Sequence, residues 1–311
     1  KSWCQHHGKI EDSERFAIWQ ENFKLVEQHN AKYNAGTSTF YLSMKTQHAD
    51  LTNKEYKFFL LKSKSRGKNN AHFTFTAEQI SSTSSDIPQN WSWVEQGVIS
   101  PIKNQGQCGS CWAFAATEVL SDRFCLATNG SINVVLSPGA LLACEKLNLG
   151  CTMGSLPEWA FSYLKKNGVV SESCVPYVSG NGKTQKCTHG KCSAVSNKNN
   201  NITQRYYAES YKHCGSTISP TSHVNEIMQC IMEGGPVDVT FNVYTDFQQY
   251  TSGIYTHKSG KFEGLHSVKM IGWGHDDETG YDYWIVQNSW GEHWGSLNGF
   301  FKIRRGTNEC G

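Results

Sequence analysis

Asn104-Gln105-Gly106-Gln107-Cys108-Gly109-Ser110-Cys111-Trp112-Ala113-Phe114 is the stretch on which the reading of this chain turns. Residues from about Ser110 to Ala127 predict a helix, and Asn129-Gly130 behind them makes a good C-terminal stop. Cys111 therefore opens a helix. The positive end of a helix dipole favours thiolate, the form of sulfur that attacks carbonyl carbon. Gln105, six residues upstream, brings a side-chain amide able to donate to an oxyanion. A buried or disulfide-bonded cysteine would stand equally well at this place, and the Cys108–Cys111 spacing alone does not separate the two readings.

The second half of the chain supplies what a reactive thiol needs. Gly264-Leu265-His266-Ser267 precedes a strand-like run, 155 residues after Cys111. Asn288-Ser289-Trp290-Gly291 follows 22 residues later, with Trp294-Gly295 close behind. A thiolate needs a base to take and return its proton, and an amide can hold that imidazole in the correct tautomer. Any one of the twelve histidines, taken alone, is more often an ordinary half-buried residue. Cys, His and Asn in this order, each in its distinctive neighbourhood, favour the nucleophile reading.

Working outward, composition sets the class. The 311 residues carry 29 Lys and Arg against 27 Asp and Glu, which argues against a dedicated nucleic-acid binder. The longest basic run, Lys62 to Lys68, is interspersed with serine and reads as a solvated linker. No stretch approaches the roughly 18 consecutive apolar residues of a membrane span. The chain opens Lys-Ser-Trp-Cys, as though a signal peptide had already been removed. Twelve cysteines are many for a reducing compartment. Only Cys108 and Cys111 stand at CxxC spacing, so no metal site is expected. Sequons at Asn90, Asn129 and Asn201 agree with passage through an oxidising compartment. The expectation is a cofactor-free protein of the secretory pathway, lysosomal, vacuolar or extracellular.

Two parts are expected, residues 1–85 and 86–311. In the first, Phe16, Trp19, Phe23 and Val26 recur at spacings of three and four, predicting one amphipathic helix over residues 11–31. Thr52 with Glu55 three residues on predicts a capping box and a second short helix. Residues 72–76 alternate as an extended piece, and the serine-rich Ser81–Asp86 reads as an exposed, cleavable boundary. In the second part a helix is predicted from Leu156 to Lys166 and a disulfide-tied loop over residues 178–205. Strands are predicted at Val237–Tyr244, Ser267–Trp273, Tyr283–Gln287 and Gly299–Arg304.

With these residues in place, the chain resembles the papain-like cysteine proteases over nearly its whole length. The second part is similar to the cathepsin B branch through Ser121-Asp122-Arg123, Gly235-Pro236-Val237, Val243-Tyr244-Thr245-Asp246-Phe247 and Gly272-Trp273-Gly274. The first resembles the inhibitory propeptide of the cathepsin L-like branch. Glu11, Arg15, Trp19, Asn22, Val26 and Asn30 fall on the spacing of its long-helix motif. A second propeptide motif is degraded: Met44, Thr46 and His48 stand where Gly, Asn and Phe are expected, and only Asp50 fits. The resemblance implies an α+β fold with a helical lobe, a β-barrel-like lobe and a cleft between them, covered by a mostly helical propeptide. It implies Cys111 as nucleophile, His266 as acid/base, Asn288 as orienter and Gln105 in the oxyanion hole with the Cys111 N–H. Substrate contacts are implied at Gly109, Met153, Gly154, Leu265, Ser267 and Trp290. Disulfides are implied for Cys108–Cys151, Cys144–Cys187 and Cys174–Cys192. Cys125 lacks its usual partner because Gln96 occupies that place, and Cys4, Cys214, Cys230 and Cys310 stay unassigned.

The function implied is peptide-bond hydrolysis within protein or peptide substrates through a thioester, in a precursor inhibited by its own propeptide. Residues 71–80 are expected across the cleft over Cys111. Acid is expected to loosen the cover by protonating Glu11 and Asp50. Met153 and Leu265 depart from the small residues of the family and are expected to narrow the cleft. No paired histidines follow Cys174, so the anchor for dipeptide release from a carboxy terminus is missing. The chain stops at Cys310-Gly311, before the segment that floors the family's main specificity pocket. The rival classes are a non-catalytic scaffold or interaction protein, and an inhibitor of other proteases. Four retained catalytic positions weigh against the scaffold, and the full domain after the propeptide weighs against the inhibitor.

Overall fold

The computed structural model describes residues 2–62, 87–192, 204–214 and 223–311. Residues 71–80, the Ser81–Asp86 boundary and the Asn201 sequon lie outside them. The N-terminal part comprises α1 (Ser2–His6), α2 (Ser13–Asn34), β1 (Phe40–Leu42) and α3 (Asn53–Tyr56). Then follow β2 (Trp91–Ser92), α4 (Cys111–Ala127), α5 (Pro138–Cys144), α6 (Gly150–Met153) and α7 (Pro157–Asn167). The last part holds α8 (Val224–Gly234), β3 (Val237–Tyr244), β4 (Tyr250–Tyr255), β5 (Phe262–Asp276), β6 (Tyr281–Gln287) and β7 (Phe300–Arg304).

Helix α2 begins where Asp12 caps it by accepting from the Arg15 N–H. One of its faces grips the chain that returns beneath it. The Arg15 guanidinium donates to Glu55 and to the Asp50 carbonyl, and the Asn22 amide to the Ala49 and Leu51 carbonyls at 2.9 and 3.0 Å. Asn30 exchanges two bonds with the Leu42 backbone, while Val26 enters the core. The spacing read from the sequence is therefore the spacing of this grip. Helix α3 carries the capping box of Thr52 and Glu55.

Acid sensitivity is distributed differently from the expectation. Glu11 is exposed and takes part in no ion pair among the described residues, whereas Asp50 pairs with Lys9. The carboxylate held most firmly is Glu55, which the Arg15 guanidinium lowers to about 2. A lowered carboxylate stabilises the fold above its ordinary pKa of 4.5, and that stabilisation disappears only as pH falls toward about 2. Glu55 is thus silent in mild acid.

The catalytic part divides into a helical half around α4 and a sheet half. Helix α4 is buried along its first three turns and packs on α5, α7 and β5. It ends where Asn129 and Gly130 take positive φ of 48° and 81°. The strands run in the order β1-β4-β7-β6-β5-β2, with β3 paired to the long β5. The sheet is not closed into a barrel. Its β4 edge is covered by β1 from the N-terminal part, antiparallel, with Phe40 opposite Gly253. A strand edge occupied in this way has no need of closure. No described helix is long and apolar enough to cross a membrane.

Candidate active site

Cys111 occupies the first position of α4, and the bonds that pack the helix N-terminus against its surroundings hold it there. The preceding loop is tied down by Cys108–Cys151 and by the Gly109 N–H donating to the Cys151 carbonyl at 2.9 Å. Cys144–Cys187 and Cys174–Cys192 also form, together with Cys214–Cys230, which the sequence left unassigned. Cys4, Cys111, Cys125 and Cys310 are in no disulfide.

Strand β5 delivers His266 from the other half. The Ser267 N–H lies 3.4 Å from the Cys111 sulfur, so β5 runs alongside the helix start. His266 Nε2 is 2.7 Å from Asn288 Oδ1. The same oxygen accepts the Ser289 N–H at 2.8 Å, and a backbone N–H is only ever a donor. That atom is therefore the amide oxygen, His266 Nε2 carries the proton, and Nδ1 has the free lone pair. Nδ1 is buried with no other partner. The Trp290 indole stacks on the imidazole at 4.6 Å between centroids and shields the His266–Asn288 bond from water.

Gln105 completes the arrangement. Its Oε1 accepts from Ser289 Oγ at 2.6 Å, which turns Nε2 toward the cleft. There Nε2 donates to the Cys108 carbonyl and, at 2.8 Å, to the carbonyl of Phe59 from the N-terminal part. The amide suited to an oxyanion already holds a carbonyl of the chain's own cover.

Phe59–Leu61 lies over the site, while residues 71–80, expected across the cleft, fall outside the described residues. Leu61 exchanges two backbone bonds with Leu265, its N–H donating at 2.7 Å and its carbonyl accepting at 3.1 Å. Gly154 (φ 75°) faces the Leu61 side chain so closely that a Cβ there would lie 2.3 Å from Leu61 Cδ2 and 2.6 Å from the Gly109 carbonyl. Three further positions need comment. Met153 ends α6 and is 46% exposed. Leu265 is buried beneath Leu61. Ser267 turns its hydroxyl away to Thr240 at 2.8 Å, leaving only its N–H facing the sulfur. Asn90 and Asn129 are exposed. Sequence reasoning missed Ser289 and Phe59, the first readable from its place in Asn288-Ser289-Trp290 and the second carrying no signal.

Under this cover the Cys111 and His266 side chains are both neutral. Burial pushes the Cys111 thiol up to about 12, against the pull of the Ser267 N–H. Burial likewise lowers His266 to about 4, against its bond to Asn288. At pH 7 the pair is thiol and imidazole, which is a latent state. Cutting the connection after residue 62 and diluting away the cover is expected to raise alkylation of Cys111 by iodoacetamide by roughly 10³-fold, as its pKa returns toward an ordinary value. Half-buried Cys125, which stays with the catalytic domain, serves as the internal reference for the mass-spectrometric readout. Equal rates before and after removal would show that the cover does not suppress the thiol.

Fold and site together are those of a cysteine hydrolase closed by its own N-terminal segment. Residues 87–311 match the model of the papain family cysteine protease, and residues 1–56 that of the cathepsin propeptide inhibitor domain (I29). The chain belongs to the papain family of cysteine proteases and carries the inhibitor domain in front. It is 36% identical over 282 residues to a gut-specific cysteine proteinase of Caenorhabditis elegans, covering 86% of this chain and 83% of that one. It is 40% identical over 241 residues to cathepsin B-like cysteine proteinase 4 of the same organism, covering 70% of each. Among solved structures, digestive procathepsin L 3 of the Tenebrio molitor larval midgut superposes with a TM-score of 0.76 at 25% identity, covering 99% of this chain and 93% of that one. Procathepsin B S9 of Trypanosoma congolense gives 0.74 at 27%, covering 92% and 94%. The chain is a latent cysteine peptidase.

Proposed function

We propose that Cys111 is the nucleophile, His266 the acid/base, Asn288 its orienter, and Gln105 with the Cys111 N–H the oxyanion hole. The observation that carries this reading is the chain Ser289–Asn288–His266, which fixes Nδ1 as a proton acceptor beside the helix that bears the thiol. Once uncovered, His266 Nδ1 takes the Cys111 proton and the thiolate adds to the scissile carbonyl carbon. Gln105 and the Cys111 N–H receive the developing oxyanion. The carbon–nitrogen bond then breaks, the amine leaves with the proton held on His266, and a thioester remains. Water, deprotonated by His266, hydrolyses it and restores the thiol. No cofactor enters any step.

Substrates are proteins or peptides, cut internally. The sequence between Cys174 and Cys192 holds His189 alone where a pair would anchor a terminal carboxylate. The propeptide ends and the catalytic domain begins at residues 85 and 86, with glycosylation at Asn90, Asn129 and Asn201 and residence in the secretory pathway, lysosome, vacuole or outside the cell. Leu265 is placed to limit access, since its backbone pairs with Leu61 and its side chain is buried at the same spot. Leu265→Gly is expected to raise kcat/KM roughly tenfold on an internally cleaved peptide, about the worth of one buried apolar side chain in substrate selection. It is expected to leave unchanged the rate on a peptide that requires a free carboxy terminus. Dipeptide release by the parent enzyme refutes the endopeptidase assignment, and no change on either substrate removes Leu265 as an obstruction.

A further inference from the structure

His48 is a fully buried histidine in the N-terminal part that the site does not use. It sits at the seam with the catalytic domain, in an aromatic cage of Tyr56, Phe59 and Trp290 with ring centroids 5.4, 4.7 and 4.9 Å away. Its carbonyl is held across the seam by the Gln249 side-chain amide at 3.0 Å. We propose that His48 is a proton-operated latch: charging its ring in mild acid expels the loop around it from the catalytic domain and unseats Phe59–Leu61 from over Cys111. The effect on activity depends on Cys111 being the nucleophile, but the opening itself does not.

The ring has no place for a second proton. Among the described residues Nε2 meets only the Gln47 Nε2 amide, at 3.4 Å, and that amide also donates to the Trp290 carbonyl at 2.9 Å. The lone pair of His48 Nε2 therefore faces a donor, and the ring proton lies on Nδ1, which is buried without a partner. Protonating Nε2 would set one N–H against another. Turning the Gln47 amide to accept it would forfeit the bond to Trp290. A neutral histidine at a seam is tolerated in this way, whereas a buried cation with no acceptor for its second proton is not.

The surrounding charges offer no relief. Lys9 and His7 approach from the N-terminal segment, and His266 lies beyond Trp290; all three disfavour a positive ring. Asp50, in the same loop, is already taken by Lys9. On the α3 side Tyr56 presents a hydroxyl without a partner, and Glu263 behind it is paired with Lys57 at 3.1 Å. From the catalytic domain Gln248 and Gln249 present neutral amides to the backbone carbonyls; the Gln248 backbone favours a charged ring, but too weakly to offset burial. His29, buried on α2, differs because its Nε2 has the Phe40 carbonyl at 3.0 Å to donate to.

Burial, with Lys9 adding to it, lowers His48 to about 3 while the loop is seated. A histidine lowered in the closed state stabilises that state above its ordinary pKa of 6.5, and the stabilisation drains away as pH falls from there. At pH 5 the closed state is disfavoured roughly 30-fold relative to neutral pH. This window opens where the Glu55 pair is still silent. Phenylalanine, expected here from the family resemblance, would fill the cage with no titratable atom.

The test uses the full chain carrying Cys111→Ser, so that nothing is self-cleaved and no activity is read. Hydrogen–deuterium exchange of the amides of residues 46–61, corrected for intrinsic rates, is followed from pH 7 to pH 5. With His48 retained, exchange is expected to rise roughly 30-fold across that range. With His48→Phe or His48→Gln added, it is expected to stay flat, two replacements of different size guarding against a packing fault in either. The latch is overturned if both variants show the rise of the parent, or if the parent shows none.

Discussion

Replacing Cys111 by serine is expected to lower kcat/KM on a peptide substrate by roughly four to six orders of magnitude, as removal of a catalytic nucleophile does elsewhere. The measurement is made on protein whose cover has been cut away by an added protease, because the variant will not process itself. Sulfur is what the arrangement suits: the Ser267 N–H and the helix start stabilise a thiolate, and neither lowers a serine hydroxyl into range. His266→Ala should cost a similar amount, and the double replacement little more than either alone, since the two act as one unit. A serine variant within tenfold of the parent would mean that Cys111 is not the nucleophile and would return the chain to the scaffold reading.

Asp122→Ala is expected to destabilise the catalytic domain by about 3–5 kcal/mol, the range for stripping one partner from a buried ion pair. Asp122 on α4 and Lys269 on β5 are both fully buried and lie 2.5 Å apart, with Ser100 bonded to each. This pair joins the half of the molecule that bears the thiol to the half that bears the imidazole. Denaturant melts should show the loss directly. The double variant Asp122→Ala/Lys269→Met should recover most of it, since the orphaned charge rather than the missing attraction is the larger cost. If Asp122→Ala alone costs under 1 kcal/mol, the pair is not a structural tie between the halves. Beside it Glu118, raised by burial to about 7, is most easily accommodated protonated. A raised carboxylate stabilises the fold at low pH and loses that effect as pH climbs through its folded value, so the junction between the halves favours acid.

Cys111, His266, Asn288 and Gln105 were legible because each sits in a short run of sequence whose geometry is local: a helix start, a strand edge, a turn after a strand. The α2 grip was legible for the same reason, since Arg15, Asn22 and Asn30 recur at helical spacing. What stayed hidden depends on contacts across the chain. Phe40–Leu42 is only three residues long, too short for any period to declare it a strand, and β4 makes it one. Nothing near Cys214 or Cys230 announces their bond, since the partners meet only when the chain before α8 folds back on it. Glu11 fits the motif spacing yet takes part in no ion pair among the described residues, and the carboxylate held low is instead Glu55, whose partner Arg15 lies 40 residues away.

The cover touches the catalytic domain at several places, the β4 edge at Phe40, the Gln248–Gln249 corner at His48, and the Gln105 amide at Phe59. While the chain is whole these contacts share one tether, and each holds the others at a high effective concentration. A cut between residues 62 and 87 leaves each of these three contacts in place. It changes only the molecularity: the cover becomes a separate ligand whose hold weakens with dilution, and latency passes from a property of the molecule to a property of the solution.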